Sequence, residues 1–194
     1  MRRLLKILTT LSLVLLVTAC GGNEGSDPST ASDTTSSVRL GKVQDVGPKP
    51  VPDLTLKTMD GEKITLTEQK GRALIINFWA TWCAPCRKEI PDLKALHSEL
   101  KSKGLTVIGV ALDRQGREVV APFVKKHSIN YPIVIDTEGT VEAAFGPIPG
   151  LPTTFIVTPD GQVSKRVIGV FPTDKMKPTL RKMLGASGSS SGTT

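Results

Sequence analysis

The feature that most constrains this chain is an apolar segment that runs directly into two closely spaced cysteines. Residues 73–78 are apolar apart from Asn77. This apolar run predicts a strand buried on both faces of a sheet. After Cys83 and Cys86 a helical pattern continues to about Lys101, with its apolar positions on one face. The cysteines therefore lie where a buried strand passes into a helix, a place where open α/β sheets collect functional groups.

The rest of the domain is predicted from the same patterns. Residues 54–56 and 64–66 form a hairpin, 105–112 and 133–135 are strands, 119–127 and 141–145 are helices, 153–157 and 163–168 form a second hairpin, and 173–183 is the last helix. Strands and helices alternate before a closing hairpin and helix. This order predicts an α/β domain with a central mixed β-sheet flanked by helices and an N-terminal β-hairpin extension.

The N-terminus has the layout of a secretory signal: basic residues first, then the apolar run 7–17, then small residues before Cys20. Residues 17–21 resemble a bacterial lipobox, in which the cysteine becomes the lipidated first residue of the mature protein. We therefore expect a lipoprotein signal peptide at 1–19, and an extracytoplasmic protein anchored by lipid to a bacterial membrane. An uncleaved anchor or ordinary cleavage near Ala19 are the alternatives, and which membrane holds the protein stays open.

The polar, small-residue stretches at both ends set the expected domain bounds. We predict a lipidated N-terminus and flexible linker at 20–45, the folded domain at 46–184 and a disordered tail at 185–194. The formal charge of +7 includes the basic signal residues, and no Lys/Arg cluster is interleaved with aromatic residues. Nucleic-acid binding is therefore not expected.

The chemistry of the cysteine pair follows from its place at a helix start. The positive end of a helix stabilises a thiolate, so Cys83 is the expected nucleophile, and Cys86 is close enough to form a disulfide with it and to act as the resolving thiol. Pro85 fits the first turn of the helix. A structural zinc site needs four ligands, and His97 lies about 16 Å along the helix from Cys86. We therefore expect a redox pair, with no metal and no cofactor.

Three segments carry a resemblance to a known family: Trp79–Cys86 with its Trp-Cys-x-Pro-Cys core, Arg87–Pro91, and Gly150–Phe155. Together they resemble the TlpA/ResA-type branch of the thioredoxin superfamily, and the likeness spans roughly residues 46–184. The resemblance implies a thioredoxin fold and an exported or membrane-tethered disulfide reductase. Such proteins commonly serve cytochrome c maturation or protect extracytoplasmic thiols.

The resemblance also implies roles for residues outside the cysteine pair. It implies that the Leu151–Pro152 bond is cis and faces the cysteines, where the backbone pairs with substrate. Thioredoxin has a buried Asp at the position of Asn77, which cannot titrate. Glu89, three residues after Cys86, is expected to serve as the acid–base group instead. The alternative for Glu89 is an exposed acid placed favourably in the first turns of a helix.

The remaining expected contacts are with substrate and electron donor. Trp82 is expected to form an apolar shoulder beside the nucleophile, with Ala84, Pro85 and Leu151 also touching substrate, whereas Trp79 packs beneath the loop. The expected partners are disulfide-containing exported proteins and a membrane electron donor of the CcdA/DsbD type. The direction of electron flow stays open at this stage.

Three other functions compete with this interpretation. A peroxiredoxin-like peroxidase shares the fold, but its Pro-x-x-x-Thr-x-x-Cys pattern is absent around Cys83. A copper-chaperone lipoprotein would use Cys-x-x-x-Cys with a distant histidine, whereas this pair is spaced by two residues. A purely binding lipoprotein would not need either cysteine.

Overall fold

The computed structural model describes residues 40–187, so the predicted signal peptide, Cys20 and most of the predicted linker lie outside the described residues. In the described range the chain forms β1 (Lys42–Pro50), β2 (Thr55–Lys57), β3 (Lys63–Thr65), β4 (Ala73–Trp79), α1 (Ala84–Leu100), β5 (Leu105–Ala111), α2 (Arg117–Lys126), β6 (Ile133–Ile135), α3 (Thr140–Phe145), β7 (Thr153–Val157), β8 (Gln162–Ile168) and α4 (Thr173–Ser187). None of the helices in this range has the length and apolarity to cross a membrane.

Six of these strands form one mixed sheet in the order β1-β8-β7-β4-β5-β6. The strand β4 pairs in parallel with β5 and antiparallel with β7, and β5 pairs in parallel with β6. All seven residues of β4 are buried, which explains why its sequence is almost entirely apolar. The predicted α/β fold with a central mixed sheet is confirmed.

The alternation of side chains along β4 divides the core between the two faces of the sheet. Ile75 and Trp79 belong to the core that contains the buried residues of α1 and α4. Ile76 and Phe78 belong to the opposite core, which the β2–β3 hairpin covers together with α3. The predicted N-terminal hairpin is therefore present, and it closes the face of the sheet that α1 leaves free.

The structure differs from the prediction at the start of the domain. Residues 42–45, expected in the flexible linker, form part of β1, which pairs antiparallel with β8 from Lys42 opposite Ile168. Most of β1 is exposed, and a bulge between Asp45 and Lys49 interrupts its register. An exposed, bulged edge strand lacks the apolar alternation that identifies strands in a sequence, so the linker boundary was set too late.

A second difference lies at the other end of the domain. Helix α4 continues to Ser187, although the disordered tail was predicted to begin at residue 185. Gly185 is exposed, and nothing lies within 4 Å of the position that a Cβ would take. Although glycine disfavours a helix, α4 includes it because no packing contact is lost at this position.

Candidate active site

The cysteine pair lies at the carboxyl end of β4, where a short turn connects this strand to α1. Cys83 is the N-cap residue of α1, and its Sγ accepts a hydrogen bond from the Cys86 N–H at 3.2 Å. The two cysteines form a disulfide with their Cα atoms 5.3 Å apart. Cys83 retains 4% of its exposure and Cys86 none. Of the two cysteines, Cys83 is thus the more accessible.

The electrostatics of the helix start favour a negatively charged sulfur at Cys83. The first turn of α1 contains Pro85 and no acidic residue, so no side-chain carboxylate in that turn opposes a thiolate at the N-cap. Arg87 and Lys88 follow on the exposed side of the helix.

Glu89 is completely buried one turn after Cys86. Burial is the main cause that raises the pKa of this carboxyl to about 7, and the nearby Asp92 charge also raises it. Hydrogen bonds from the Phe171 backbone N–H and the Asn77 side chain act in the opposite direction. The alternative of an exposed acid is therefore wrong. Glu89 can hold or release a proton near neutral pH.

The turn before Cys83 is held by a buried carboxylate that the sequence analysis missed. Asp113 follows β5 and is fully buried. It accepts hydrogen bonds from the Thr81 backbone N–H, at 3.0 Å to Oδ2, and from the Thr81 hydroxyl. Arg87 donates to the Thr81 carbonyl at 3.0 Å. Since β5 is the parallel neighbour of β4, a polar residue directly after it was a detectable signal of proximity to the cysteines.

The segment that leads into β7 reaches the same end of the sheet. The Leu151–Pro152 peptide bond is cis. Thr153 pairs with Phe78, so Pro152 lies next to the end of β4, where the cysteine turn begins. The Pro152 carbonyl accepts a hydrogen bond from the Gly169 N–H at 2.8 Å. Within residues 40–187 the backbone of Leu151 makes no hydrogen bond, which leaves its polar groups available.

The residues expected to contact substrate differ in their exposure. Trp82 is 66% exposed, Ala84 and Pro85 are exposed, and Leu151 is half-buried. In contrast, Trp79 is buried, and the centroid of its ring lies 5.3 Å from the ring centroid of Phe123 on α2.

The two histidines serve the packing of the domain. His97 is buried, its Nδ1 accepts a hydrogen bond from the Val107 N–H at 3.4 Å, and burial together with the charges of Lys101 and Arg72 lowers its pKa. His127 stacks on Phe123 with 4.1 Å between ring centroids. Among the described residues, no three His, Cys, Asp or Glu side chains are grouped so as to hold a metal ion.

A Cys-x-x-Cys disulfide that caps the helix after the central strand of a mixed sheet, with a cis-proline beside the end of that strand, defines a thiol–disulfide oxidoreductase of thioredoxin-like fold. Residues 48–166 match the profile of the AhpC/TSA family. The chain is 35% identical over 136 residues to thiol-disulfide oxidoreductase ResA of Bacillus thuringiensis subsp. konkukian, covering 70% of this chain and 77% of that protein. It is 37% identical over 118 residues to ResA of Bacillus subtilis, covering 61% of this chain and 65% of that protein.

Solved structures agree with this assignment. A thiol:disulfide interchange protein of the thioredoxin family from Chlorobium tepidum TLS superposes with a TM-score of 0.64 at 32% identity, covering 73% of this chain and all of that one. StoA from Bacillus subtilis superposes with a TM-score of 0.58 at 29% identity, covering 66% of this chain and 98% of that one. The chain belongs to the AhpC/TSA family, as a thiol–disulfide oxidoreductase of the ResA/TlpA type.

Proposed function

We propose that this oxidoreductase is a disulfide reductase that works outside the cytoplasm, anchored to a bacterial membrane by lipid on Cys20. The observation that carries the proposed thiol–disulfide exchange is the arrangement of three side chains at the start of α1, and the family resemblance favours the reducing direction. Cys83 caps the helix, Cys86 lies behind it in the first turn, and the buried Glu89 follows one turn later.

In the proposed reaction the reduced enzyme supplies both electrons. The Cys83 thiolate attacks one sulfur of a substrate disulfide, forming a mixed disulfide and releasing one substrate thiolate. The Cys86 thiol gives its proton to Glu89, and the resulting thiolate attacks the Cys83 sulfur. The second substrate thiolate leaves, so the substrate is reduced and the enzyme carries the Cys83–Cys86 disulfide.

The proton affinity of Glu89 supports its part in this cycle. A general base works best when its pKa lies near the working pH, and the pKa of Glu89 is about 7. The hydrogen bonds that reach its two oxygens come from donors, Asn77 and the Phe171 N–H. These partners offer no acceptor for a carboxylic O–H, so a proton held by Glu89 is free to return to Cys86.

The proposed substrates are disulfide-containing exported proteins, with apocytochrome c as one candidate. Trp82 supplies an exposed apolar surface next to Cys83, flanked by Ala84 and Pro85. The unpaired backbone of Leu151, ahead of Pro152, is suited to pair with an extended substrate segment. A membrane protein of the CcdA/DsbD type is the proposed source of the electrons that reduce the enzyme again.

The midpoint potential of the Cys83/Cys86 couple tests the direction of electron flow. The chain from residue 38 onwards is equilibrated with dithiol buffers and followed by Trp fluorescence. A potential near the roughly −270 mV of thioredoxin supports the reductase, whereas one near the roughly −120 mV of DsbA makes the protein a disulfide donor. Without a reversible couple, the proposed cycle is wrong.

Trapping identifies the substrates and the order of the two thiols. In Cys86→Ser the mixed disulfide on Cys83 is not resolved, so exported proteins should be captured covalently and released by reductant. Cys83→Ser is the matched control and should capture none. Equal capture by both variants would contradict the assigned roles.

A further inference from the structure

The sheet face that packs against α1 contains one polar position in its most buried strand. Ile75, Asn77 and Trp79 occupy alternate positions of β4 and so point to the same face. Ile75 and Trp79 join the apolar core there, and Asn77 is only 1% exposed. A polar side chain at such a position destabilises the fold unless its hydrogen bonds are made.

The hydrogen bonds of Asn77 lead to Glu89. Its Nδ2 donates to Glu89 Oε1 at 2.8 Å and to Thr154 Oγ1 at 3.0 Å. Thr154 is the residue paired with Asn77 across the β4–β7 ladder, and it is fully buried. The second carboxyl oxygen of Glu89 accepts from the Phe171 N–H at 2.7 Å. One donor on each oxygen fixes both the position and the rotation of the carboxyl group.

We propose that Asn77 is a positioning residue, which together with the Phe171 N–H holds the Glu89 carboxyl in one orientation behind Cys86, while Thr154 holds the Asn77 amide. The inference rests on the proton-transfer role proposed for Glu89. An ionised carboxylate only accepts hydrogen bonds, so the amide has to present its nitrogen to Glu89. In that orientation the second hydrogen of the amide nitrogen reaches Thr154 Oγ1, so both of its donors are used.

Loss of the Asn77 hydrogen bond can be detected as a change in the pKa of Glu89. The titratable groups that interact with it are Asp92 on α1, whose charge raises the pKa of Glu89, and Tyr131 ahead of β6, whose own pKa is raised by burial and by Glu89. The sheet and the segment before α4 contribute an amide and a backbone N–H. Losing a donor to a buried carboxylate should therefore raise its pKa by about one to two units.

The test is a pH titration of the Glu89 side-chain carboxyl by ¹³C NMR in the oxidised protein, with the resonance assigned by its absence from Glu89→Gln. In Asn77→Leu, an apolar side chain of similar shape replaces the donor, and the midpoint should rise by about one to two pH units. In the isosteric Asn77→Asp, two carboxyl groups face each other, so they should titrate in two separated steps with the upper one above the wild-type midpoint.

Thr154→Val is the matched control, because it removes the support of the amide but leaves the donor to Glu89. In Thr154→Val the midpoint of the Glu89 titration should move by less than half as much as in Asn77→Leu. If Asn77→Leu does not fold, the titration of Asn77→Asp decides whether the inference holds. A Glu89 midpoint that stays at the wild-type value in the folded variants would overturn the inference.

The outcome is separable from that of the proposed function, because the oxidised protein is titrated without turnover. The pH profile of disulfide reduction is measured on the same variants. If the carboxyl titration moves and the rate profile does not follow, the positioning role stands and the proton-transfer role of Glu89 fails. If reduction slows while the carboxyl titration is unchanged, Asn77 does not act through Glu89.

Discussion

Replacing Glu89 by glutamine should change how the stability of the domain depends on pH. The folded protein holds the Glu89 proton with a pKa of about 7, against an ordinary value of 4.5. Because the folded state binds this proton more tightly than the unfolded chain, the stabilising contribution is complete below pH 4.5 and is lost as the pH rises through 7. A difference of about 2.5 units corresponds to about 3 kcal/mol of unfolding free energy.

Glutamine removes this dependence and introduces a constant cost. Its amide offers one acceptor, whereas two donors, Asn77 Nδ2 and the Phe171 N–H, point at the group. One of them has to face the new N–H₂, at a cost of about 1 to 3 kcal/mol. We therefore expect Glu89→Gln to be less stable than wild type at pH 4.5 and to approach or exceed the wild-type stability at pH 8.

The assay is urea unfolding of both oxidised proteins at intervals between pH 4.5 and 8.5. The disulfide keeps thiol titration out of the measurement, and the other titrating groups cancel in the difference between the two proteins. Glu68→Gln, at an exposed position, is the control and should track wild type at every pH. A stability difference between Glu89→Gln and wild type that is constant across this range would refute the reasoning.

Two further substitutions test close contacts, one at the edge of the sheet and one in the turn before Cys83. Gly41→Ala places a Cβ 2.7 Å from the Gly169 backbone, so it should lower the free energy of unfolding by about 1 to 3 kcal/mol; Gly185→Ala, whose Cβ meets open space, should not, and equal stability of both variants would contradict the close approach. Asp113→Ala leaves the Thr81 donors without their buried acceptor, which should cost about 1.5 to 3 kcal/mol in urea unfolding and slow reduction of the disulfide by dithiothreitol. Asp113→Asn, which keeps an acceptor oxygen, should lose less than half as much, and a fully stable Asp113→Ala would show that the turn is held by other contacts.

The elements nearest the cysteines could be predicted because their signals are local. The strand β4 is buried on both faces, so its sequence is apolar almost throughout. Helix α1 starts at a cysteine cap followed by Pro85 and ends before Gly104, whose φ of +100° favours glycine. The placement of Glu89 one turn after Cys86 followed from helix geometry, and its acid–base role was implied by the family resemblance.

The parts that could not be predicted depend on contacts between distant segments. The Phe171 contact with Glu89 uses a backbone N–H. Every residue except proline has this group, so the residue type at position 171 does not predict the contact. The burial of Glu89 depends on how α4 and β4 enclose α1, which the α1 sequence does not reveal. Strand β1 was missed because an exposed edge strand acquires its conformation from its neighbour.

The pairing of β1 with β8 has a consequence for the order in which the domain can be completed. Gln44 of β1 lies opposite Arg166 of β8, 122 residues later in the chain, and among residues 40–187 β8 is the only strand that pairs with β1. Joining segments so far apart carries a large loop-closure entropy and is slow. A chain that emerges from its N-terminus, through a ribosome or any other narrow exit, brings β1 out first and its partner almost last. The pairing of β1 with β8 can therefore form only when nearly the whole domain has emerged, so β1 is left without its partner strand until then.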